Sequence, residues 1–129
     1  MSAGRRSNIA RQAAEARWSL REDGIVPLCQ IRKAARMALE GRRAKAYLFG
    51  SYARGKATPH SDIDIMVIES EPPESWLEEN SELRHRMHEH MGWEKELDLI
   101  VIDEFSFMRW KDEYGSVQHE VSREGVRLV

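Results

Sequence analysis

The sequence predicts a small mixed β-sheet with helices packed on one face, an α/β (α+β) fold, and three observations predict it. Three short apolar runs with strand character fall between residues 44 and 103. Segments with helical spacing precede the first run, separate the second from the third, and follow the third. The chain has 129 residues, the size of one ordinary domain, so a single domain over 1–129 is expected.

Residues 7–21 read as a helix, with Ile9, Ala13, Ala16 and Leu20 on one stripe. Asp23-Gly24 breaks it, which makes 1–24 an N-terminal helical extension. Pro27 opens a second helix and Gly41 closes it, the usual asymmetry of Pro at the start and Gly just past the end. Its apolar stripe is Leu28, Ile31, Ala35 and Leu39. Ala44 to Phe49 is the first strand. Gly50 to Thr58 is a turn with one helical turn in it. Asp62 to Glu69 is the second strand, with Ile63, Ile65 and Val67 on one face and Asp62, Asp64, Met66 and Ile68 on the other.

Pro72-Pro73 ends that passage, and residues 75–91 are helical. Ser75 and Glu78 fit a capping box. Acids at the start (Glu78, Glu79, Glu82) and Arg84 and Arg86 towards the end suit the helix dipole. Trp76, Leu83 and Met87 form the expected core stripe, and Gly92 the stop. Glu96 to Asp103 is the third strand. Residues 104–112 and 115–123 are expected as short helices, and Val126 to Val129 as a last short strand. Of the remaining aromatics, Trp18, Trp93, Phe107 and Trp110, most are assigned to the core and one or two to a protein interface.

Composition narrows the class. Hydrophobic residues are 41% and charged residues 33%, as in a globular chain with a charged surface. No apolar run approaches the roughly 20 residues that span a bilayer. Arg5 and Arg6 are followed by no apolar stretch, so no signal peptide is expected. Cys29 is the lone cysteine, which fits a cytoplasmic location. The net charge of −2 divides into +9 over residues 1–60 and −11 over 61–129. A basic half can attract triphosphate, RNA or an acidic partner, although most such charges lie on solvated helix faces. Nothing in the balance marks a dedicated DNA-binding protein.

The chemistry is concentrated in Gly50-Ser51 and, ten residues later, Asp62-Ile63-Asp64. Two acids two apart on a strand project from one face. Such a pair shares a proton or binds a hard cation, and acids at the head of an apolar run need that compensation. Asp98 interrupts a second apolar run, Leu97 to Ile102. If the strands are neighbours, three carboxylates can hold two Mg²⁺ about 3.5–4 Å apart, the arrangement that serves in-line phosphoryl transfer. Gly50 lets the backbone approach a phosphate, and Ser51 offers a hydroxyl and an amide at a helix start. Arg54 and Lys56 either add positive charge to a triphosphate or are ordinary surface charges.

Leu48-Phe49-Gly50-Ser51-Tyr52-Ala53-Arg54-Gly55 and Ser61-Asp62-Ile63-Asp64-Ile65, with a later strand acid, resemble the nucleotidyltransferase superfamily that includes DNA polymerase beta, and within it the minimal nucleotidyltransferases. The resemblance is tight over 44–68, holds to 103, and makes 44–103 the catalytic core. It implies a polymerase-beta-like fold and transfer of a nucleoside monophosphate, AMP from ATP by family default, onto a hydroxyl. It implies that Asp62, Asp64 and Asp98 bind metal and catalyse, with Gly50 and Ser51 holding the triphosphate. Asp98 is preferred over Glu94, Glu96 and Asp103 because apolar residues flank it on both sides. The chain runs only a short way beyond this acid, so the acceptor pocket is expected to be open or supplied by another chain. In the family that other chain is often a helical HEPN-type toxin, silenced by modification of a tyrosine. The first expectation is therefore an antitoxin of a type VII-like toxin–antitoxin pair, acting in a hetero-oligomer. The alternatives are a small-molecule transferase similar to aminoglycoside-modifying enzymes, and a non-catalytic antitoxin that acts by contact.

Two other patterns are set aside. Gly50 to Ala57 lacks a P-loop's Ser or Thr directly after Lys56, where Ala57 stands. His85, His88 and His90 have no Cys or acid pair to complete a transition-metal set and suit a solvated helix end.

Overall fold

Pro27 pre-sets the φ that a helix start requires, and its carbonyl accepts from the amides of Gln30 and Ile31 at 3.1 and 3.2 Å. The computed structural model describes residues 24–91 and 95–129. Within them, helix α1 spans Leu28–Ala38, strand β1 Ala44–Phe49, helix α2 Gly50–Ala53, strand β2 Ile63–Glu69, helix α3 Trp76–Met91, strand β3 Leu97–Asp103, helix α4 Glu104–Trp110, helix α5 Val117–Glu124 and strand β4 Val126–Arg127. The expected helix over 7–21, with Trp18, Gly92, Trp93 and Glu94, lies outside the described residues.

The four strands form one mixed sheet in the order β3-β2-β1-β4. β1 runs antiparallel to β2 and to β4, and β2 runs parallel to β3. The parallel pair requires a crossover, and α3 supplies it. Ser75 caps α3, its Oγ accepting from the Glu78 amide at 3.3 Å. Asn80 donates to the carbonyl of Leu99, Arg84 to that of Leu97, and Arg86 to that of Ala38. Polar side chains of α3 thus dock on β3 and α1, while its buried Leu83, Met87 and Met91 face the core.

The larger core lies on one face of the sheet, where Ile31, Ala34, Ala35 and Ala38 of α1 and the apolar stripe of α3 meet Ile63, Ile65 and Val67. This is the layer of helices that the sequence predicts. Two positions of the predicted stripes differ. Leu28 and Trp76 open their helices and are each 40% exposed, because a first-turn side chain overhangs the end of the packed layer.

The second face carries a smaller cluster. Phe49, Met66, Ile68 and Val121 are buried there, with Phe107 and Val117 packed against them. The one-face arrangement therefore describes the main layer, and α4 and α5 add a partial second one. Their cover ends before Asp62 and Asp64, which share this face. Trp110 is exposed and lies outside both clusters. Among the described residues no helix is long and apolar enough to cross a membrane.

Candidate active site

β2 and β3 bring the acids together. Asp64 pairs with Asp98 in the parallel register, and with Phe49 on its other side. In-register partners on parallel strands present their side chains on the same face, and Asp62 precedes Asp64 by one strand repeat. Asp62 is held at the end of a tight turn. The Ser61 Oγ accepts from the Thr58 amide at 2.8 Å, the Thr58 carbonyl accepts from the Ser61 amide, and Lys95 donates to the Pro59 carbonyl at 2.6 Å. Asp62 and Asp98 are exposed, and Asp64 is half-buried between them.

Burial, then the charges of Asp98 and Asp62, then a hydrogen bond shared with Asp98 and the charge of Glu120 push the Asp64 carboxyl up to about 6. Asp64 therefore keeps its proton to higher pH than an ordinary aspartate. Among the described residues no three His, Cys, Asp or Glu side chains already close around one point. The donor set is nonetheless the kind a hard divalent ion takes, all carboxylate oxygen and in uncompensated excess.

Of the acids near Asp98 in the sequence, Asp103 is engaged elsewhere. Asp103 caps α4, accepting from the Ser106 amide at 3.2 Å and its hydroxyl at 2.7 Å. These bonds hold its carboxyl below the usual range. Glu96 lies exposed just before β3, where its carbonyl accepts from the Ile63 amide. Glu94 is outside the described residues.

Gly50 sits at the corner between β1 and α2 with φ +75°, a conformation that disfavours a side chain. A Cβ there would lie 2.1 Å from Oδ2 of Asp64. The sequence suggests that this glycine makes room for a phosphate. The structure adds a nearer reason, that it makes room for the central acid. Ser51 follows in the first turn of α2, where amides have no intrahelical partner.

Arg54 and Lys56 part company. Lys56 is exposed on the turn, its amide bonded to the Ser51 carbonyl at 2.9 Å. Arg54 reaches across to α5 and donates through Nη1 to Glu120 at 3.1 Å and Glu124 at 3.4 Å. Glu120 is the residue that sequence reasoning misses. It stands 56 positions after Asp64, and only the return of α5 over the second face brings it near. Among the histidines, His85 is exposed and its nearest acid is Glu89 at 3.7 Å on its own helix, the solvated arrangement expected.

A family model for the nucleotidyltransferase domain matches residues 28–123. A candidate protein adenylyltransferase of Methanocaldococcus jannaschii is 51% identical over 35 residues, which is 27% of this chain and 35% of that protein. The match thus spans about a third of that relative's length. A candidate nucleotidyltransferase from Sulfolobus solfataricus has a similar fold, with TM-score 0.51, 22% identity, and 78% and 77% of the two chains covered. A toxin–antitoxin structure with AMP-PNP is likewise similar, with TM-score 0.53, 23% identity, and 81% and 73% covered.

Proposed function

Since the chain belongs to the nucleotidyltransferase domain family, we propose that it transfers AMP from ATP onto a hydroxyl acceptor, foremost a tyrosine of a helical HEPN-type toxin that it neutralises. The observation that carries this reading is the Asp64–Asp98 register with Asp62 one repeat away, beside Gly50. The adenylyl group is favoured by the M. jannaschii relative's name. The toxin partner is favoured by the minimal-transferase motif and by the toxin–antitoxin structure of similar fold.

Asp62, Asp64 and Asp98 would hold Mg²⁺, which when bound supplies charge compensation for the triphosphate and a lowered pKa for the acceptor hydroxyl. The protein's own contribution is placement. The Ser51 hydroxyl and the free amides of α2's first turn hold the phosphates. The exposed acids leave the acceptor an approach, and Asp98 helps to activate its hydroxyl. In-line transfer forms the acceptor oxygen–α-phosphorus bond as the bond to pyrophosphate breaks, so positioning does most of the work.

The test is a transfer assay with α-labelled nucleoside triphosphates and Mg²⁺, on the chain co-purified with proteins it captures from its host. Label is expected on a small co-purifying protein and absent with Asp62→Asn/Asp64→Asn. A captured partner that is never labelled, yet stays neutralised by that double variant, would show action by contact. Label on an aminoglycoside-like small molecule alone would move the reading to the small-molecule class.

A further inference from the structure

We propose that Glu120 is a positioning residue of the nucleotide site: with Glu124 it holds the Arg54 guanidinium in place for the triphosphate. The inference rests on the nucleotidyl-transfer reading above. It stands on three features of the fold. Arg54 directly follows α2, the turn that carries Gly50 and Ser51. Glu120 and Glu124 lie one turn apart on α5, and both accept from the same nitrogen, Nη1. A guanidinium has five N–H donors, and among the described residues only Nη1 has hydrogen-bond partners, which leaves the rest of the fork for phosphate oxygens.

α5 is itself well anchored. Ser116 caps it, accepting from the His119 amide at 3.0 Å, and Val121 is buried beneath it. At its other end Gly125 closes the helix in extended backbone, its amide bonded to the Val121 carbonyl at 2.9 Å. A Cβ on Gly125 would lie 2.5 Å from that carbonyl oxygen. β4 follows at once and pairs with Tyr47 and Leu48 of β1, the strand that leads into Gly50. The carboxylates are therefore fixed to the strand that positions the phosphate turn.

Stability alone gives this ion pair little purpose. All three side chains are 36–48% exposed, and such pairs contribute little to folding. Holding a long side chain in advance does matter to a ligand, because an arginine frozen only on binding weakens affinity by roughly two- to twelvefold. A bare electrostatic effect has the opposite sign, since removing a carboxylate near the acids would favour an anionic ligand.

A double-mutant cycle separates the two effects. Affinity for ATP with Mg²⁺ is measured by equilibrium titration for the wild type, Glu120→Gln, Arg54→Ala and the combined variant, with melting temperatures alongside. Glu120→Gln is expected to weaken ATP by at least about threefold more in the wild-type background than in the Arg54→Ala background. Glu120→Asp should restore part of the loss, and melting temperatures should stay within about 3 °C of wild type. Equal effects in both backgrounds overturn the inference. So does a tighter affinity only where Arg54 is present, which would mean that the carboxylates compete with the nucleotide for the arginine. A wild-type chain that binds ATP and never transfers it refutes the transfer reading while the cycle still decides the positioning role. A wild type that does not bind ATP removes both.

Discussion

Replacing Asp64 by Asn should stabilise the protein while abolishing transfer. The carboxyl is raised from 3.8 to about 6, first by burial and then by the charges of Asp98 and Asp62. An acid whose pKa rises on folding binds its proton more tightly in the native state. Its ionisation therefore costs stability as pH climbs from about 4 to 6 and beyond, and nothing below that window. At about 1.4 kcal/mol per unit, the rise would amount to about 3 kcal/mol for a fully buried group. Solvent reaches Asp64, so screening leaves roughly 1–1.5 kcal/mol. Asn keeps the shape, carries no charge and still donates to Asp98. At pH 7.5 without divalent cations, Asp64→Asn should melt roughly 3–7 °C above wild type. The gap should close near pH 4, and Mg²⁺ should raise the wild type more than the variant. Scanning fluorimetry across pH and Mg²⁺ measures all of this. A variant no more stable than wild type at pH 7.5, or a gain that persists unchanged at pH 4, would refute the account of the acid cluster.

Gly50→Ala should cost about 1–3 kcal/mol in backbone strain and should also push Asp64 from its place, since the new Cβ would meet Oδ2 at 2.1 Å. Denaturant melts and the transfer assay should both register it. Asp98→Asn should lower transfer by about a hundredfold or more, whereas Asp103→Ala should leave the rate intact and cost about 1 kcal/mol of stability through the lost α4 cap. Parallel kinetics and melts on the two variants test that separation. At limiting Mg²⁺ the transfer rate should fall as pH drops through about 6, where Asp64 takes up its proton, and added Mg²⁺ should move that midpoint downward. A flat pH profile between 5 and 7 would count against Asp64 as a cation ligand.

Much of the sheet was legible because its strands obey local rules. Ala44 to Phe49 is a strand over the residues expected, and β2 and β3 each begin one residue later than read, at Ile63 and Leu97. The α3 start was legible through its Ser75 cap, and the turn after Phe49 through Gly50. The meeting of Asp64 with Asp98 was legible in outline, because carboxylates heading or interrupting apolar runs need a compensating partner. What escaped depends on contacts distant in sequence. Nothing near Trp76 shows that it overhangs the core. The second layer rests on two helices of 7 and 8 residues, too short for a periodic signal to say which face they cover. Glu120 escaped for that reason: its place beside Arg54 exists only once α5 has folded back.

That second layer also explains why the acids stand where they do. β2 carries buried side chains on both faces at Met66, Val67 and Ile68, so its far half needs cover on each side. α4 begins directly after the last residue of β3, Asp103, which caps it with no intervening loop, and turns the chain back over that half. α5 then ends at Gly125, where β4 resumes the sheet. Extending this cover over Asp62 and Asp64 would bury two charges at a cost of several kcal/mol each. Among the described residues that end has no such cover, and Asp62 is exposed and Asp64 half-buried, while Ile63 and Ile65 on the opposite face hold the same strand in the main core. The repulsion concentrated on Asp64 is thus tolerated because the strand beneath it is anchored elsewhere. The conflict between local chemistry and packing thus falls on one short stretch of an otherwise consistent fold, which is the stretch the proposed function uses.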